Sequence, residues 1–178
     1  MKKQLIFILL TSFLFSCTGN KSTSAQAADS QDPAQADCCS TTPKGPEAPD
    51  FTLNDINGKP LTLSSLRGKY VVLDFWGSWC IWCIKGMPKM KEYYAKYAGK
   101  MEILGIDCND SEEKWKAAVA EHKLPWLHVY NSDESHLLEK YGIEGFPTKV
   151  IIDPEGHIAN VVVGEDPAFY TYLDKLFQ

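Results

Sequence analysis

The sequence predicts an α/β domain, in which a central mixed β-sheet is covered by helices on both faces. Short apolar runs rich in β-branched residues alternate along the chain with stretches that repeat apolar residues every three or four positions. These are the patterns of buried strands and of helices that bury one face. Two pairs of predicted strands are joined by turn-forming residues, so antiparallel hairpins are expected at both ends of the alternating order.

The start of the chain is predicted to be a secretory signal with a lipid anchor. Two lysines precede an apolar run at 5–15, which is too short to span a membrane as a finished helix. The stretch 14–17 resembles a bacterial lipobox, in which Cys17 would receive lipid and become the mature N-terminus. The alternative is ordinary cleavage after Ala27, although that position lies far beyond the apolar run. Either route exports the domain into an environment where disulfides matter.

The segment that follows is predicted to be a flexible tether. It is rich in Ser, Thr, Ala, Gln, Asp and Pro and offers little apolar surface to bury. Cys38 and Cys39 within it are interpreted as incidental tether residues, a strained ring, a soft-metal ligand pair or a cross-link to another chain. The predicted organisation is a signal peptide at 1–16, a tether at 17–46 and a folded domain at 47–178.

Size and charge limit the class of protein. Roughly 130 residues remain for the folded part, which is enough for one domain with its own core. The net charge is −5, and the sequence has no basic patch or arginine-rich run. Nucleic acid is therefore not an expected partner.

The first half of the domain is predicted from turn residues and from changes in apolar period. Asn57-Gly58 is a strong turn signal between two short strands, so an N-terminal β-hairpin extension is expected. The apolar run 71–75 predicts a buried strand. The helix that follows is expected to extend from Cys80 to about Gly99, because apolar residues recur at helical spacing, namely Ile84, Met87, Met90, Tyr94 and Tyr97.

Caps and turns indicate where the later elements begin. Ser111 is a suitable N-cap, residues 153–156 have the composition of a tight turn, and Asp166-Pro167 is a typical helix start. The predicted elements are strands at 51–53, 60–63, 70–75, 102–107, 127–130, 148–152 and 158–163, and helices at 80–99, 111–122, 135–141 and from 166 onward.

Cys80-Ile81-Trp82-Cys83 lies where the central strand turns into a helix. Unpaired backbone amides and the helix dipole at this point favour negative charge, so they should lower the pKa of the first thiol. The second thiol is close enough to attack a disulfide formed at the first, which indicates redox chemistry. The alternative is half of a zinc site, but the four histidines do not supply a second ligand pair at zinc spacing.

Two motifs resemble the active-site signatures of the thioredoxin superfamily. The stretch 74–83, followed by Pro88, is similar to the redox motif, and 145–148 is similar to the motif that contains a cis-proline. Residues 48–51, the segment 64–69 and the insertion after Asp107 resemble the TlpA/ResA branch. The resemblance covers about residues 47–178. It implies a thioredoxin-like fold and the activity of an exported, membrane-tethered thiol–disulfide oxidoreductase.

The resemblance assigns roles to three residues of the redox motif. Cys80 would be the exposed nucleophile, Cys83 the buried resolving thiol, and the two would form a redox-active disulfide. Asp74 would be a buried carboxyl whose raised pKa allows it to take a proton from Cys83. The alternative for Asp74 is a solvent-facing strand residue.

The resemblance also implies a substrate-binding surface. Pro147 would be cis and lie opposite the cysteines, which would leave the backbone of Phe146 free to pair with an extended substrate segment. Trp79, Ile81 and Trp82 would add apolar surface beside the nucleophile, whereas Trp76 is expected in the core.

The sequence departs from the family pattern at several positions. Trp82 replaces the proline that often precedes the second cysteine, so the redox potential cannot be inferred from the motif. Gly86 stands where ResA-like proteins often have glutamate, which would leave the carboxyl function to Asp74 alone, and residues 103–105 offer Asp74 no lysine partner. Cys108 is expected to be a half-buried structural residue or a third redox thiol.

The leading hypothesis is dithiol–disulfide exchange with exported protein substrates, such as apocytochrome c, by a monomeric reductase without cofactor or metal. A membrane thiol carrier of the DsbD or CcdA kind would supply electrons at the lipid-anchored, periplasmic site. One alternative is a peroxiredoxin-like peroxidase, but that class has threonine where this chain has Gly77. The other alternative is a non-enzymatic module that binds soft metal or a partner.

Overall fold

The computed structural model describes residues 44–178. The predicted signal peptide, the lipidation site Cys17, the cysteines at 38 and 39 and nearly all of the predicted tether lie outside the described residues. Within the described part, no helix has the length and apolar character needed to cross a membrane.

Between residues 44 and 178, seven strands and four α-helices alternate along the chain, with short 3₁₀ turns at Leu63–Leu66 and Asp133–Ser135. In chain order the elements are β1 (Thr52–Asp55), β2 (Pro60–Thr62), β3 (Tyr70–Trp76), α1 (Ile81–Lys96), β4 (Met101–Asp107), α2 (Glu112–Glu121), β5 (Leu127–Tyr130), α3 (Leu137–Lys140), β6 (Thr148–Ile152), β7 (Ile158–Val163) and α4 (Pro167–Leu176).

The strands form one mixed sheet in the order β2-β1-β5-β4-β3-β6-β7. The pairs β3–β4 and β4–β5 are parallel, and the remaining neighbours are antiparallel. The predicted mixed sheet with helices on both faces is therefore confirmed. Because β3 lies between β4 and β6, its C-terminal end has structured neighbours on both sides, and α1 starts from that end.

Strand β3 contributes to both halves of the core because its side chains alternate between the two faces. Val72 and Trp76 pack with residues of α1, α2 and α4 on one face. Val71, Leu73 and Phe75 pack on the opposite face, which includes residues of α3 and of the N-terminal segment. Asp74 has the same parity as Val72 and Trp76, so it lies on the α1 and α4 face.

The two predicted helix N-caps are confirmed, but one predicted helix is shorter than expected. Ser111 Oγ accepts a hydrogen bond from Lys114 N, and Asp166 Oδ1 accepts one from Ala168 N. The helix predicted at 135–141 is instead a 3₁₀ turn followed by the short α3. His136 between them has φ 51°, a left-handed conformation that interrupts an α-helix.

Candidate active site

Cys80 and Cys83 form a disulfide at the N-terminus of α1. The S–S distance is 2.03 Å, and the two Cα atoms are 5.3 Å apart. Cys80 is the N-cap residue of the helix, and its Sγ accepts a hydrogen bond from the backbone N–H of Cys83 at 3.2 Å. A negative charge on this sulfur would therefore face an amide donor and the positive end of the helix dipole.

The loop between β3 and α1 is held by the segment that follows β4. Asp110 accepts hydrogen bonds from the backbone N–H of Ser78 at 2.6 Å and from its hydroxyl at 2.7 Å. The indole N–H of Trp79 donates to the carbonyl of Cys108 at 3.0 Å. A Cβ at Gly77 would lie 2.8 Å from the same carbonyl, so this close approach requires glycine. These contacts fix the start of α1.

The expectation that Cys80 is exposed is wrong for the disulfide form. Cys80 and Cys83 are each only 5% exposed. The physical reason is the disulfide itself together with the helix cap, because both turn the Cys80 sulfur toward the first turn of α1 rather than toward solvent. Cys83 is buried as expected.

Large apolar side chains surround the disulfide and face solvent. Trp79, Ile81 and Trp82 are 52%, 61% and 59% exposed. The ring of Trp79 packs edge-on against Phe146 with 5.3 Å between centroids, and Lys85 Nζ lies 4.4 Å from the centre of the Trp82 ring. We call Trp79, Ile81, Trp82 and Phe146 the apolar rim. Trp76 is buried in the core as predicted.

The Phe146–Pro147 peptide bond is cis, as predicted. Pro147 directly precedes β6, in which Thr148 pairs with Phe75 near the C-terminal end of β3. The carbonyl of Pro147 accepts a hydrogen bond from the N–H of Gly164 at 2.7 Å, which joins this segment to the end of β7. The sheet therefore brings the cis-proline and the cysteine pair to the same edge.

Asp74 is a buried carboxyl, which excludes the solvent-facing alternative. It is 4% exposed, and within residues 44–178 its Oδ1 has no hydrogen-bond partner. Burial raises the pKa of Asp74 to about 6, an effect that the positive charge of Lys149 opposes and the negative charge of Glu165 reinforces. The carboxyl can thus change protonation state near neutral pH.

Two charged residues near Asp74 were missed by sequence reasoning. Lys149 lies opposite Asp74 in the β3–β6 pairing and is almost completely buried, and its Nζ is 3.0 Å from Glu165 Oε2. Residues 103–105 supply no lysine, as expected, but β6 does, and a second carboxyl, that of Glu165, also lies near Asp74. The lysine comes from β6 and not from β4. A lysine inside the apolar run of β6 was the signal that could have found it.

Cys108 is more deeply buried than expected. It is a free cysteine with no exposed surface, and its thiol donates to the carbonyl of Ile106 at 3.4 Å. Burial, reinforced by the charge of Asp107, raises the pKa of the Cys108 thiol far above its usual range. A thiol in this state is a structural residue rather than a third nucleophile.

Asp107, at the end of β4, is a second buried carboxyl that the sequence did not single out. It has no exposed surface, and its pKa is raised to about 8 by burial and by the nearby carboxylate of Asp110. In the described part of the chain, no three His, Cys, Asp or Glu side chains are arranged to hold a metal ion.

Comparison with known proteins agrees with this geometry. The AhpC/TSA family matches residues 45–161. The thiol-disulfide oxidoreductase ResA of Bacillus thuringiensis (strain Al Hakam) is 36% identical over 122 residues, which span 68% of this chain and 70% of that protein. ResA of Bacillus subtilis (strain 168) is 34% identical over 122 residues, with 68% of each chain covered.

Solved structures show the same relationship. The thioredoxin domain of a thiol-disulfide oxidoreductase from Bacteroides vulgatus superposes with a TM-score of 0.69 at 33% identity, covering 76% of this chain and 98% of that one. A thiol:disulfide interchange protein from a Bacteroides species gives 0.67 at 34% identity, covering 74% and 88%. The chain therefore belongs to the AhpC/TSA family, with a thioredoxin-like fold and the activity of a thiol–disulfide oxidoreductase.

Proposed function

We propose that the protein is an exported protein-disulfide reductase that transfers two electrons from Cys80 and Cys83 to disulfides of other exported proteins. The observation that carries this proposal is the Cys80–Cys83 disulfide at the start of α1, at the same sheet edge as cis-Pro147 and surrounded by an exposed apolar rim. This arrangement combines a reactive sulfur pair with a surface on which a polypeptide can dock.

The proposed reaction begins with the reduced protein. The Cys80 thiolate, stabilised by the N–H of Cys83 and the helix dipole, attacks one sulfur of a substrate disulfide. A mixed disulfide forms and the other substrate sulfur leaves as a thiolate. Cys83 then attacks Cys80 Sγ, which releases the second substrate thiolate. The protein ends with the Cys80–Cys83 disulfide, and the substrate has gained two electrons.

Asp74 is the proposed proton acceptor for the second attack. Cys83 must lose its proton before it becomes a nucleophile, and a buried thiol resists ionisation. Asp74 lies on the face of β3 that packs against α1, and its pKa of about 6 keeps it ionised at neutral pH yet able to take up a proton.

The apolar rim and the cis-proline are the proposed docking surface. An extended substrate segment would pair with the backbone at Phe146 and place apolar side chains against Trp79, Ile81 and Trp82. Exposed aromatic residues around a reactive centre are typical of protein-binding surfaces. A disulfide-containing exported protein, such as apocytochrome c, would be a substrate of this class.

The cellular setting is part of the same proposal. The N-terminal sequence supports cleavage before Cys17, lipid attachment to that cysteine and a tether that holds a monomeric domain on the periplasmic side. Each cycle leaves the pair oxidised, so an electron donor is required. A membrane thiol carrier of the DsbD or CcdA kind meets this requirement.

The proposal is tested by trapping. Cys83→Ala should accumulate proteins joined to Cys80 by disulfides in the cell envelope, because the attack that releases them is lost. Cys80→Ala should trap none. Cys108→Ala is the matched control, since it removes a cysteine that the structure buries away from solvent, and it should turn over substrates without trapping them. Absence of adducts with Cys83→Ala would overturn the assignment.

The direction of electron flow requires a separate measurement. A Cys80–Cys83 reduction potential near that of thioredoxin, about −270 mV, supports a reductase, whereas a value near −120 mV indicates an oxidase. Consumption of peroxide faster than reduction of a protein disulfide would favour the peroxidase alternative and contradict the proposal. Metal bound to the reduced protein in native mass measurement would favour the soft-metal alternative.

A further inference from the structure

A buried lysine stands beside the buried carboxyl of the redox site. In the antiparallel pairing of β3 and β6, Lys149 lies directly opposite Asp74. Ile151, two residues further along β6, packs on the same face as Val72 and Trp76, so the side chains of Asp74 and Lys149 share that face. Directly opposite side chains of this kind have Cβ atoms about 5 Å apart.

The charge of Lys149 is compensated by a residue from another element. Lys149 Nζ is 3.0 Å from Oε2 of Glu165, which lies between β7 and α4. Oε1 of the same carboxylate accepts a hydrogen bond from the hydroxyl of Tyr170 at 2.8 Å. Both Lys149 and Tyr170 are buried. A fully buried ammonium group requires such a partner, because an isolated buried charge is very unfavourable.

The Glu165 carboxylate also packs against the redox helix. A Cβ at Gly86 would lie 2.5 Å from Cδ and 2.8 Å from Oε1 of Glu165, so the carboxylate occupies the space that a side chain at position 86 would need. Gly86 follows Cys83 by three residues, about one helical turn. The Lys149–Glu165 pair therefore extends from the sheet position beside Asp74 to the helix that carries the resolving cysteine.

We infer that Lys149 and Glu165 form a positioning pair that sets the proton affinity of Asp74 during the step in which Cys83 releases the substrate. This inference rests on the proposed role of Asp74 as proton acceptor. Lys149 alone would stabilise the Asp74 carboxylate so strongly that it would become a weak base. Glu165 offsets that positive charge and leaves Asp74 able to accept a proton near neutral pH.

The charged groups near Asp74 shift its pKa in the directions that this inference requires. Lys149 lowers the Asp74 pKa and Glu165 raises it, while burial sets it well above the usual value. Asp74 in turn raises the pKa of both Tyr170 and Cys108. The titratable and charged groups that interact with Asp74 are Cys108 after β4, Lys149 on β6, Glu165 before α4 and Tyr170 on α4. Among them, Lys149 and Glu165 act on the Asp74 charge with opposite sign.

The test measures the titration of Asp74 directly. The carboxyl ¹³C resonance of Asp74, assigned by its loss in Asp74→Asn, is followed by NMR against pH in the oxidised full chain. The variants are Glu165→Gln, which leaves Lys149 uncompensated, Lys149→Met, which leaves Glu165 as a second carboxylate, and the double variant. Glu102→Gln and Lys69→Met are matched controls, since that Lys–Glu pair also has a 3.0 Å contact but its lysine is 35% exposed.

The expected shifts have opposite signs. Glu165→Gln should lower the titration midpoint of Asp74 by about one pH unit, Lys149→Met should raise it by a similar amount, and the controls should leave it unchanged. A purely structural role for the pair would let water in and lower both midpoints, so shifts of the same sign, or none, would overturn the inference. Equal shifts in the control variants would also overturn it.

A second measurement separates this inference from the proposed function. The rate at which Cys83 releases glutathione from a Cys80–glutathione mixed disulfide is measured against pH in the same variants. Opposite NMR shifts together with a release rate that Asp74→Asn does not change would support the effect of the pair on Asp74 titration. They would overturn Asp74 as proton acceptor, and with it the role of the pair in substrate release. If Lys149→Met does not fold, the inference is tested with Glu165→Gln and the double variant. In the double variant, the titration midpoint of Asp74 should be close to that of the unsubstituted protein.

Discussion

Two clusters of the same composition, Lys–Glu–Tyr, stabilise different parts of this fold. In the first, Lys69 Nζ is 3.0 Å from Glu102 Oε2, and the Tyr94 hydroxyl donates to Glu102 Oε1 at 2.9 Å. In the second, the Lys149–Glu165 distance is also 3.0 Å, and the tyrosine hydroxyl donates at 2.8 Å. The side chains of Lys69 and Glu102 are 35% and 13% exposed, whereas those of Lys149 and Glu165 are 2% and 19% exposed. We call them the outer and the inner cluster.

The difference shows that contact geometry alone does not determine what an ion pair contributes. Solvent screens the outer cluster, which lies near the N-terminal ends of β3 and β4, far along the strands from the cysteines. The inner cluster has little screening and faces a buried carboxyl, so its charges act on the redox site. The same three residue types therefore serve stability in one place and, by our inference, acid–base chemistry in the other.

The largest contrast is expected when the lysine of each cluster is removed. Lys149→Met leaves Glu165 without its partner beside buried Asp74, so the free energy of unfolding should fall by about 4 kcal/mol. Lys69→Met should lower it by less than about 1 kcal/mol, because the outer pair is screened. Urea unfolding of the oxidised proteins at pH 7 measures both losses. Equal losses in the two variants would contradict the comparison.

The fold and the reactive residues could be predicted because their signals are local in sequence. The apolar run of β3, the following helical period and the Cys80–Cys83 spacing all lie in one continuous stretch. The short motif around Pro147 was sufficient to predict its cis peptide bond. The burial of Asp74 followed from its apolar neighbours in β3.

The inner cluster could not be predicted in the same way because its members come together through tertiary structure. Lys149 and Glu165 are 16 residues apart and meet because β6 and β7 pair antiparallel, with Thr148 opposite Val163. The exposure of Cys80 also depended on something that the sequence does not specify, which is the oxidation state of the pair. The pairing of distant strands and the redox state of the cysteines are thus the two properties of this site that could not be predicted from the sequence.

A second prediction separates the clusters by their response to pH. The Asp74 pKa of about 6 is higher than its ordinary value of 3.8, so the folded state binds more protons than the unfolded state between these values. Stability should therefore fall as pH rises through this range. Asp74→Asn removes the destabilisation that ionised Asp74 causes. It should therefore stabilise the oxidised protein by about 3 kcal/mol at pH 8, but very little at pH 4.

Glu102→Gln is the control for that measurement. It changes a carboxylate to an amide in the outer cluster, and it should not reproduce the gain at high pH. Urea midpoints collected from pH 4 to pH 8 test both variants. A stability difference between Asp74→Asn and the unsubstituted protein that stays constant over this range would show that Asp74 does not titrate there.

A third prediction concerns the packing of the inner cluster against α1. Alanine at a helical glycine normally stabilises by up to about 1 kcal/mol. Gly86→Ala should instead cost about 2 kcal/mol, because the Glu165 carboxylate must move away from Lys149 and Tyr170 to make room for the new Cβ. The cost should disappear when the same substitution is made in a Glu165→Ala background, as measured by a double-mutant cycle. If Gly86→Ala is equally destabilising in the Glu165→Ala background, the Glu165 carboxylate is not the group that the new Cβ displaces.

The smallest expected contrast is between the two tyrosine hydroxyls. Tyr170→Phe removes the hydroxyl of a buried tyrosine that donates to the Glu165 carboxylate, and a hydrogen bond to a charged group contributes about 1.5 kcal/mol. Tyr94→Phe should cost about 0.5 kcal/mol, because Tyr94 is only partly buried and water can replace its hydroxyl. Urea unfolding resolves the two values. Since both substitutions delete one oxygen at nearly the same distance from a glutamate, a cost for Tyr94→Phe as large as that for Tyr170→Phe would mean that burial does not distinguish the clusters.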